Sequence, residues 1–137
     1  MTIRKFVPRI YRPAAYQGRR NPENYFEGWY TKLVDASGDQ IWSFIAGVSY
    51  SDDTHAFVQV IHANSGLTWY ARFPEDEFRS SRKSFDTRLG RNRFSDKGME
   101  LELDTPELKV SGMIGFADTH PFPSSLISPG IMGWYSY

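Results

Sequence analysis

Apolar and polar residues alternate at strand spacing along most of this chain. From Tyr25 onward, short runs rich in aromatic and β-branched residues are separated by turn sequences that contain glycine, at residues 36–39, 64–66 and 96–98. Such runs joined by tight turns are typical of β-hairpins. The pattern predicts strands near 25–34, 40–50, 55–63, 67–74, 84–89, 92–96, 99–104 and 108–115. Beyond single turns, no segment has a convincing helical period.

The alternation also assigns side chains to faces. Near residue 100, Met99, Leu101 and Leu103 share one face, and the acidic residues between them share the other. Evenly spaced hairpins predict an up-and-down antiparallel meander, which must close or pair its edges to avoid aggregation. We therefore predict an all-β fold in which the meander forms a lipocalin-like or calycin-like barrel or half-barrel.

The two ends of the chain differ from this pattern. The first twenty residues hold six of the 16 Lys and Arg side chains and no acid, and Pro8 and Pro13 break any helix there. We interpret residues 1–24 as a basic, irregular, solvated leader, with contact to an anionic membrane or nucleic acid as the alternative. We interpret residues 25–137 as the barrel domain, incomplete at its C-terminus, because the apolar stretch 131–137 stops in mid-strand.

Composition excludes several classes of protein and site. The chain has no cysteine, so it has no disulfide, thiolate metal site or thiol nucleophile. His55 and His62 are seven residues apart in one strand and so point to opposite faces, which argues against a shared metal. We expect neither a metal nor a cofactor. With no signal-peptide pattern and no run of eighteen apolar residues, we expect a cytoplasmic or membrane-peripheral protein.

A basic stretch lies at residues 79–97, which contain seven Lys and Arg residues and only two acidic residues, Asp86 and Asp96. With Phe85 and Phe94 interleaved, a nucleic-acid surface is one interpretation. We favour a solvated hairpin face, because the formal net charge of the whole chain is zero. We therefore expect no nucleic-acid partner.

The candidate chemistry centres on residues 25–30, YFEGWY, which place Glu27 among four aromatic side chains. Charged side chains are rarely buried unless they are paired. Glu27 is therefore either an ion-pair partner, with Arg72 or Lys32, or an acid retained for proton chemistry. A desolvated carboxyl favours its acid form at neutral pH, which suits a general acid.

These motifs resemble those of the tocopherol cyclase-like family. YFEGWY at residues 25–30 is similar to the opening signature of that family, and SPGIMG at residues 128–133 is similar to a later element. FVQV at 57–60 and NRFS at 92–95 occur between them in the expected order. The resemblance covers about residues 25–137, although the family continues beyond this point into further strands. It implies a calycin-like β-barrel and, as in the plant members, closure of a prenylated hydroquinone to a chromanol.

That reaction needs a proton for a trisubstituted alkene, a stabilised tertiary cation and a positioned phenol oxygen. We expect Glu27 to be the catalytic acid, with Tyr25 and Trp29 on the same strand face steadying the cation through their rings. Gln59 and His55, which share a face of the third strand, are expected to hydrogen-bond the quinol oxygens. The alternatives are a backbone-satisfying role at a bulge for Gln59 and an exposed strand start for His55.

Tyr30 is also expected to contact the substrate, and core packing is the alternative for both Tyr30 and Trp29. Three functions remain open. The first is an acid-catalysed cyclase of prenylated hydroquinones or a related enzyme acting on a lipid. The second is a lipocalin-like carrier that binds a hydrophobic small molecule without chemistry. The third is a structural β-domain that needs further strands or a partner and self-associates through unpaired edges.

Overall fold

A computed structural model describes residues 11–18, 23–123 and 125, and this part of the chain is all-β apart from short 3₁₀ turns. The strands are β1 (Tyr25–Val34), β2 (Ile41–Tyr50), β3 (His55–His62), β4 (Leu67–Phe73), β5 (Phe78–Ser80), β6 (Asp86–Leu89), β7 (Asn92–Ser95), β8 (Gly98–Asp104) and β9 (Lys109–Gly115). A 3₁₀ turn at Glu75–Glu77 connects β4 to β5. In the described part of the chain, no helix is long and apolar enough to cross a membrane.

The strands form two antiparallel sheets, and within each sheet consecutive strands pair with one another. β1 to β4 make the first sheet, and β5 to β9 make the second. The predicted all-β class and antiparallel meander are therefore confirmed. Among the described strands, no pairing joins the two sheets into one closed barrel.

The turns follow the glycines that the sequence places between strands. Gly38 and Gly66 adopt φ values of 79° and 72°, a left-handed conformation that residues with a Cβ adopt at a cost. Next to Gly38, the Asp35 carboxylate accepts a hydrogen bond from the backbone N–H of Gln40 (2.9 Å). These local bonds close the β1–β2 hairpin and set its register, which pairs Val34 with Ile41.

The core lies between the inner faces of the two sheets. The first sheet contributes Trp29, Phe44 and Val58, among others, and the second contributes residues such as Leu89 and Phe94. β8 alternates as predicted, with Met99, Leu101 and Leu103 buried and the acidic side chains exposed. Alternation in the sequence therefore identifies the core face of these strands.

Three differences from the sequence prediction bear on the site. β5 was not predicted, and the strand expected from residue 84 begins at Asp86. Residues 11–18 have the irregular backbone expected of a leader, yet Ala15 and Tyr16 are only 2% and 8% exposed, so this segment is packed and not solvated. The stretch 131–137, the motif at 128–133 and leader residues 1–10 and 19–22 lie outside the described residues.

The basic stretch at 79–97 includes the β6–β7 hairpin and the residues on either side of it. Arg93 forms two hydrogen bonds with the Asp86 carboxylate, each 3.0 Å long. Arg91 pairs with Glu102 on β8, and most of the other basic side chains in the stretch are exposed. The basic side chains of this stretch are thus exposed or paired with carboxylates, and the choice of a solvated hairpin face over a nucleic-acid surface stays a prediction.

Candidate active site

The inner face of β1 carries the candidate site. Tyr25, Glu27 and Trp29 point toward the second sheet, as the alternation predicts, while Phe26 and Tyr30 point outward. The β1–β2 register sets Glu27 opposite Val48 on this face. Glu27 is consequently half-buried beside an apolar strand.

The Glu27 carboxylate accepts hydrogen bonds from three groups of the chain. The Tyr25 hydroxyl donates to Oε2 (2.5 Å). The backbone N–H of Gln17 lies 3.0 Å from both carboxylate oxygens, and the backbone N–H of Gly18 also bonds to the carboxylate. Glu27 therefore anchors residues 17 and 18 to the inner face of β1.

Burial raises the pKa of the Glu27 carboxyl above that of a free glutamate. The hydrogen bonds from Tyr25, Gln17 and Gly18 and the nearby charge of Arg82 oppose this rise without cancelling it. The acid form of Glu27 thus persists to higher pH than in solution. This is the property that a general acid acting near neutrality requires.

Tyr16 completes the surroundings of Glu27 and was not among the residues predicted for the site. Its ring packs edge-on against Phe78 (5.5 Å between centroids) and Tyr25 (6.5 Å), and the Arg82 guanidinium lies 5.7 Å above it. Burial and a hydrogen bond with Tyr50 raise the pKa of the Tyr16 phenol. In the sequence, the only sign that Tyr16 is buried is the apolar run of residues 14–16 inside the basic leader.

Trp29 forms one wall of the site and belongs to the core. It is 8% exposed, and its ring stacks against Phe78 and Phe85 with centroid distances of 6.3 and 6.0 Å. Its indole Nε1–H donates to the Ala14 carbonyl (2.8 Å). The core-packing alternative for Trp29 is confirmed, and its indole also holds the segment that carries Tyr16.

Tyr30 and Gln59 lie on the opposite face of the first sheet. Both are aligned with Ile45 across β2, on the outer face, and Tyr30 is 61% exposed with its hydroxyl bonded to Ser43 (2.8 Å). Because neighbouring residues of a strand point to opposite faces, the structure does not bring Tyr30 and Gln59 together with Glu27, and their contact with a ligand stays a prediction. Core packing is contradicted for Tyr30, and the continuous β2–β3 register shows no bulge at Gln59.

His55 is also on this outer face, away from Glu27. It begins β3, but its ring is packed: Nε2 bonds the Tyr70 hydroxyl (2.9 Å), and Nδ1 bonds the Asp53 carbonyl (2.7 Å). The structure therefore does not bring His55 together with Glu27, and its role at the quinol oxygens stays a prediction. Arg72 pairs with Asp53 (2.6 Å) and not with Glu27, and Lys32 lies on the outer face as well.

Two other places in the described residues bear on binding chemistry. In the described residues, no group of three His, Asp or Glu side chains could hold a metal ion, and His62 stacks on Trp42 at the face opposite His55. A cleft of about 400 Å³ lies between the end of β4 and the β7–β8 region. Its charged lining includes the Arg91–Glu102 pair, and Asp104 pairs with Lys109, so the cleft offers few charges that lack partners.

Comparisons of the chain with protein-family models, with curated proteins and with solved structures found no match. The resemblance to the tocopherol cyclase-like family thus rests on the sequence motifs. YFEGWY forms the first six residues of β1, FVQV lies in β3, and NRFS coincides with β7.

Proposed function

We propose that this protein is a tocopherol cyclase-like enzyme, built on a lipocalin-like barrel, that closes a prenylated hydroquinone to a chromanol or carries out related acid chemistry. The observation that supports this best is the half-buried Glu27 carboxyl, whose pKa is raised by burial beside Tyr16, Tyr25 and Trp29. A carboxyl whose acid form is favoured by burial among aromatic rings is suited to protonate an alkene that water would not. A hydrophobic substrate of this kind also fits a membrane-peripheral location.

The proposed reaction is an isomerisation and consumes no co-reactant. Protonated Glu27 gives its proton to the less substituted alkene carbon, which leaves a tertiary cation on the prenyl chain and a carboxylate on the enzyme. The phenol oxygen of the substrate then bonds to the cationic carbon. The phenolic proton passes to the Glu27 carboxylate and restores the acid, while the Tyr25 hydroxyl stabilises the carboxylate between the two steps.

The decisive experiment compares Glu27→Gln with Glu100→Gln, which changes an exposed carboxylate on the outer face of β8. With geranylhydroquinone as substrate, Glu27→Gln should lower chromanol formation by roughly 10²- to 10⁴-fold, because the proton donor is lost. Glu100→Gln should leave the rate unchanged. Circular dichroism verifies that both variants are folded. Equal rates for the wild type and Glu27→Gln would exclude Glu27 as the acid.

A second candidate function is a non-catalytic carrier of a hydrophobic ligand. It is favoured by the donors from Tyr25, Gln17 and Gly18, since a carboxylate satisfied by its own chain is typical of a structural anchor. A carrier would retain geranylhydroquinone and return it with unchanged mass after incubation. Mass spectrometry of the bound fraction therefore separates the carrier from the enzyme.

A further inference from the structure

Residues 11–18, here called the strap, enter the space between the sheets without belonging to either sheet. No residue of the strap pairs with a strand. The side chain of Tyr16 is nevertheless as deeply buried as Trp29, at 8% exposure, and packs within the same core cluster. The strap thus fills interior space that the strands themselves leave open.

Hydrogen bonds fix the strap to the strands and loops around it. Tyr16 N–H donates to the Ser81 carbonyl (3.0 Å), Trp29 Nε1–H donates to the Ala14 carbonyl (2.8 Å), and Gln17 N–H donates to Glu27. The Gln17 side chain bonds within the strap, to the carbonyls of Arg12 and Ala15. Displacement of the strap would therefore break no hydrogen bond between strands.

The group that the strap buries has the chemistry of the proposed substrate. The side chain of Tyr16 is a para-alkylated phenol, and the head group of a prenylated hydroquinone is an alkylated phenol. Its ring contacts Tyr25, Trp29 and Phe78, and its hydroxyl bonds with Tyr50. This enclosure offers ring edges and faces together with a hydroxyl partner, which is what a phenolic ligand needs.

We propose that the strap is an internal occupant of a binding site for phenolic head groups and that a prenylated hydroquinone binds by displacing it. The substrate ring takes the place of the Tyr16 ring, and a substrate hydroxyl replaces Gln17 N–H as the donor to Glu27. The class of ligand rests on the proposed function, whereas the displacement is a separate claim. Ligand and strap compete for one site, so only molecules whose strap is displaced can bind. The apparent affinity of the wild type is therefore the intrinsic affinity multiplied by the fraction of such molecules.

Hydrogen exchange on the wild-type protein tests the displacement directly. With saturating geranylhydroquinone, the amide hydrogens of Tyr16 and Gln17 should exchange faster. Displacement breaks the hydrogen bonds that these amides donate to the Ser81 carbonyl and to Glu27. The amides in the β2–β3 pairing serve as the internal reference and should not change. This measurement needs no variant and does not depend on turnover.

Variants at position 16 test the competition. Tyr16→Ala removes the internal phenol and should bind geranylhydroquinone about tenfold more tightly than the wild type. Tyr16→Phe retains a ring and should bind within a few-fold of the wild type. Phe94→Ala, which removes a ring of the same core from β7, is the matched control and should not tighten binding.

The outcomes separate this inference from the proposed reaction. Binding with faster exchange at residues 16 and 17 but without chromanol supports the strap displacement and contradicts the proposed catalysis. Binding with both amides still protected overturns the displacement, whatever the chromanol assay gives. Failure of the wild type and Tyr16→Ala to bind the probe also overturns it. Equal affinities for Tyr16→Ala and Phe94→Ala would overturn the competition, because loss of any core ring would then have the same effect.

Discussion

At Glu27, burial and hydrogen bonding act on one carboxyl in opposite directions. Burial raises the carboxyl pKa, and the donors Tyr25, Gln17 and Gly18 lower it. The sequence shows the first influence, since a lone carboxyl among aromatic residues is visible in YFEGWY. The second depends on backbone N–H groups of a segment whose fold has no sequence periodicity, so only the structure provides it.

The first prediction at the residue scale concerns Gly47, on the outer face of β2. A Cβ at this position would lie 2.6 Å from the Glu27 carbonyl oxygen and 2.6 Å from Cζ of Phe57. Gly47→Ala should therefore lower the free energy of unfolding by about 1–3 kcal/mol, because a backbone atom and a buried ring must shift. Urea denaturation monitored by circular dichroism measures this change.

Gly115→Ala in β9 is the matched control for Gly47→Ala. No atom outside the adjacent residues lies within 4 Å of the added Cβ, so this change should alter stability by less than about 0.5 kcal/mol. If the two variants lost the same stability, the close approach at Gly47 would not be what selects glycine there.

At the scale of elements, sequence alternation and turn chemistry predict long strands well and short ones poorly. β1 was predicted from Tyr25 to Val34, because ten consecutive residues have strand character and a glycine turn follows. β5 has three residues between a polar 3₁₀ turn and a polar loop, too few to show a period. The strap contact was not predictable, because Ser81 and Phe78 are more than sixty positions from Tyr16 along the chain.

The same limit applies to the site. Tyr25, Glu27 and Trp29 were grouped correctly because they belong to one strand, where alternation determines the face. Gln59 and His55 belong to another strand, and grouping them with Glu27 required the register between strands. In that register Glu27 is opposite Val48, and Val48 is opposite Ala56 of β3. His55 is opposite Ser49, so His55 and Gln59 lie on the outer face and Ala56 lies on the inner face with Glu27.

A prediction at this scale concerns Asn92, which links β6, β7 and β8. Its side chain is 1% exposed, donates to the Leu89 carbonyl (3.1 Å) and accepts from the Glu102 N–H (2.9 Å). Asn92→Ala should lower the free energy of unfolding by about 1–3 kcal/mol, since the buried Leu89 carbonyl and the part-buried Glu102 N–H lose their partner. Thermal or urea denaturation measures the loss.

Asn64→Ala is the comparison for Asn92→Ala. The Asn64 side chain accepts a hydrogen bond from Ile41 N–H (2.9 Å) but is exposed, so water can replace it. Its loss should cost less than about 0.5 kcal/mol. A cost as large as that of Asn92→Ala would mean that burial does not determine the penalty.

At the scale of the whole molecule, the candidate site is also part of the junction between the sheets. Tyr16 and Trp29 contact Phe78 of the second sheet, and the strap bonds Glu27 of the first sheet and Ser81 beyond β5. A change in the charge of Glu27 therefore affects the packing of both sheets. The proton that the proposed reaction uses is thus linked to the stability of the fold.

This linkage gives a stability that depends on pH with a defined sign. The folded-state pKa of Glu27 is raised above its unfolded value, so the contribution of Glu27 is fully present below the unfolded pKa and is lost as pH rises through the folded pKa. Asp86 has the opposite sign, because Arg93 lowers its pKa. Its contribution is present above the unfolded pKa and is lost as pH falls through the folded pKa.

Comparing variants isolates each group, because the other titrations cancel in the difference. The free energy of unfolding of the wild type minus that of Glu27→Gln should decline as pH rises from the unfolded pKa of glutamate, about 4.3, toward neutrality. The corresponding difference for Asp86→Asn should be constant in that window and decline below about pH 4. Urea titrations at a series of pH values measure both.

A Glu27 difference that grew toward neutral pH would mean that the donors from Gln17, Gly18 and Tyr25 outweigh burial. The carboxylate would then be the favoured state, and Glu27 would serve as an anchor for the strap instead of as an acid.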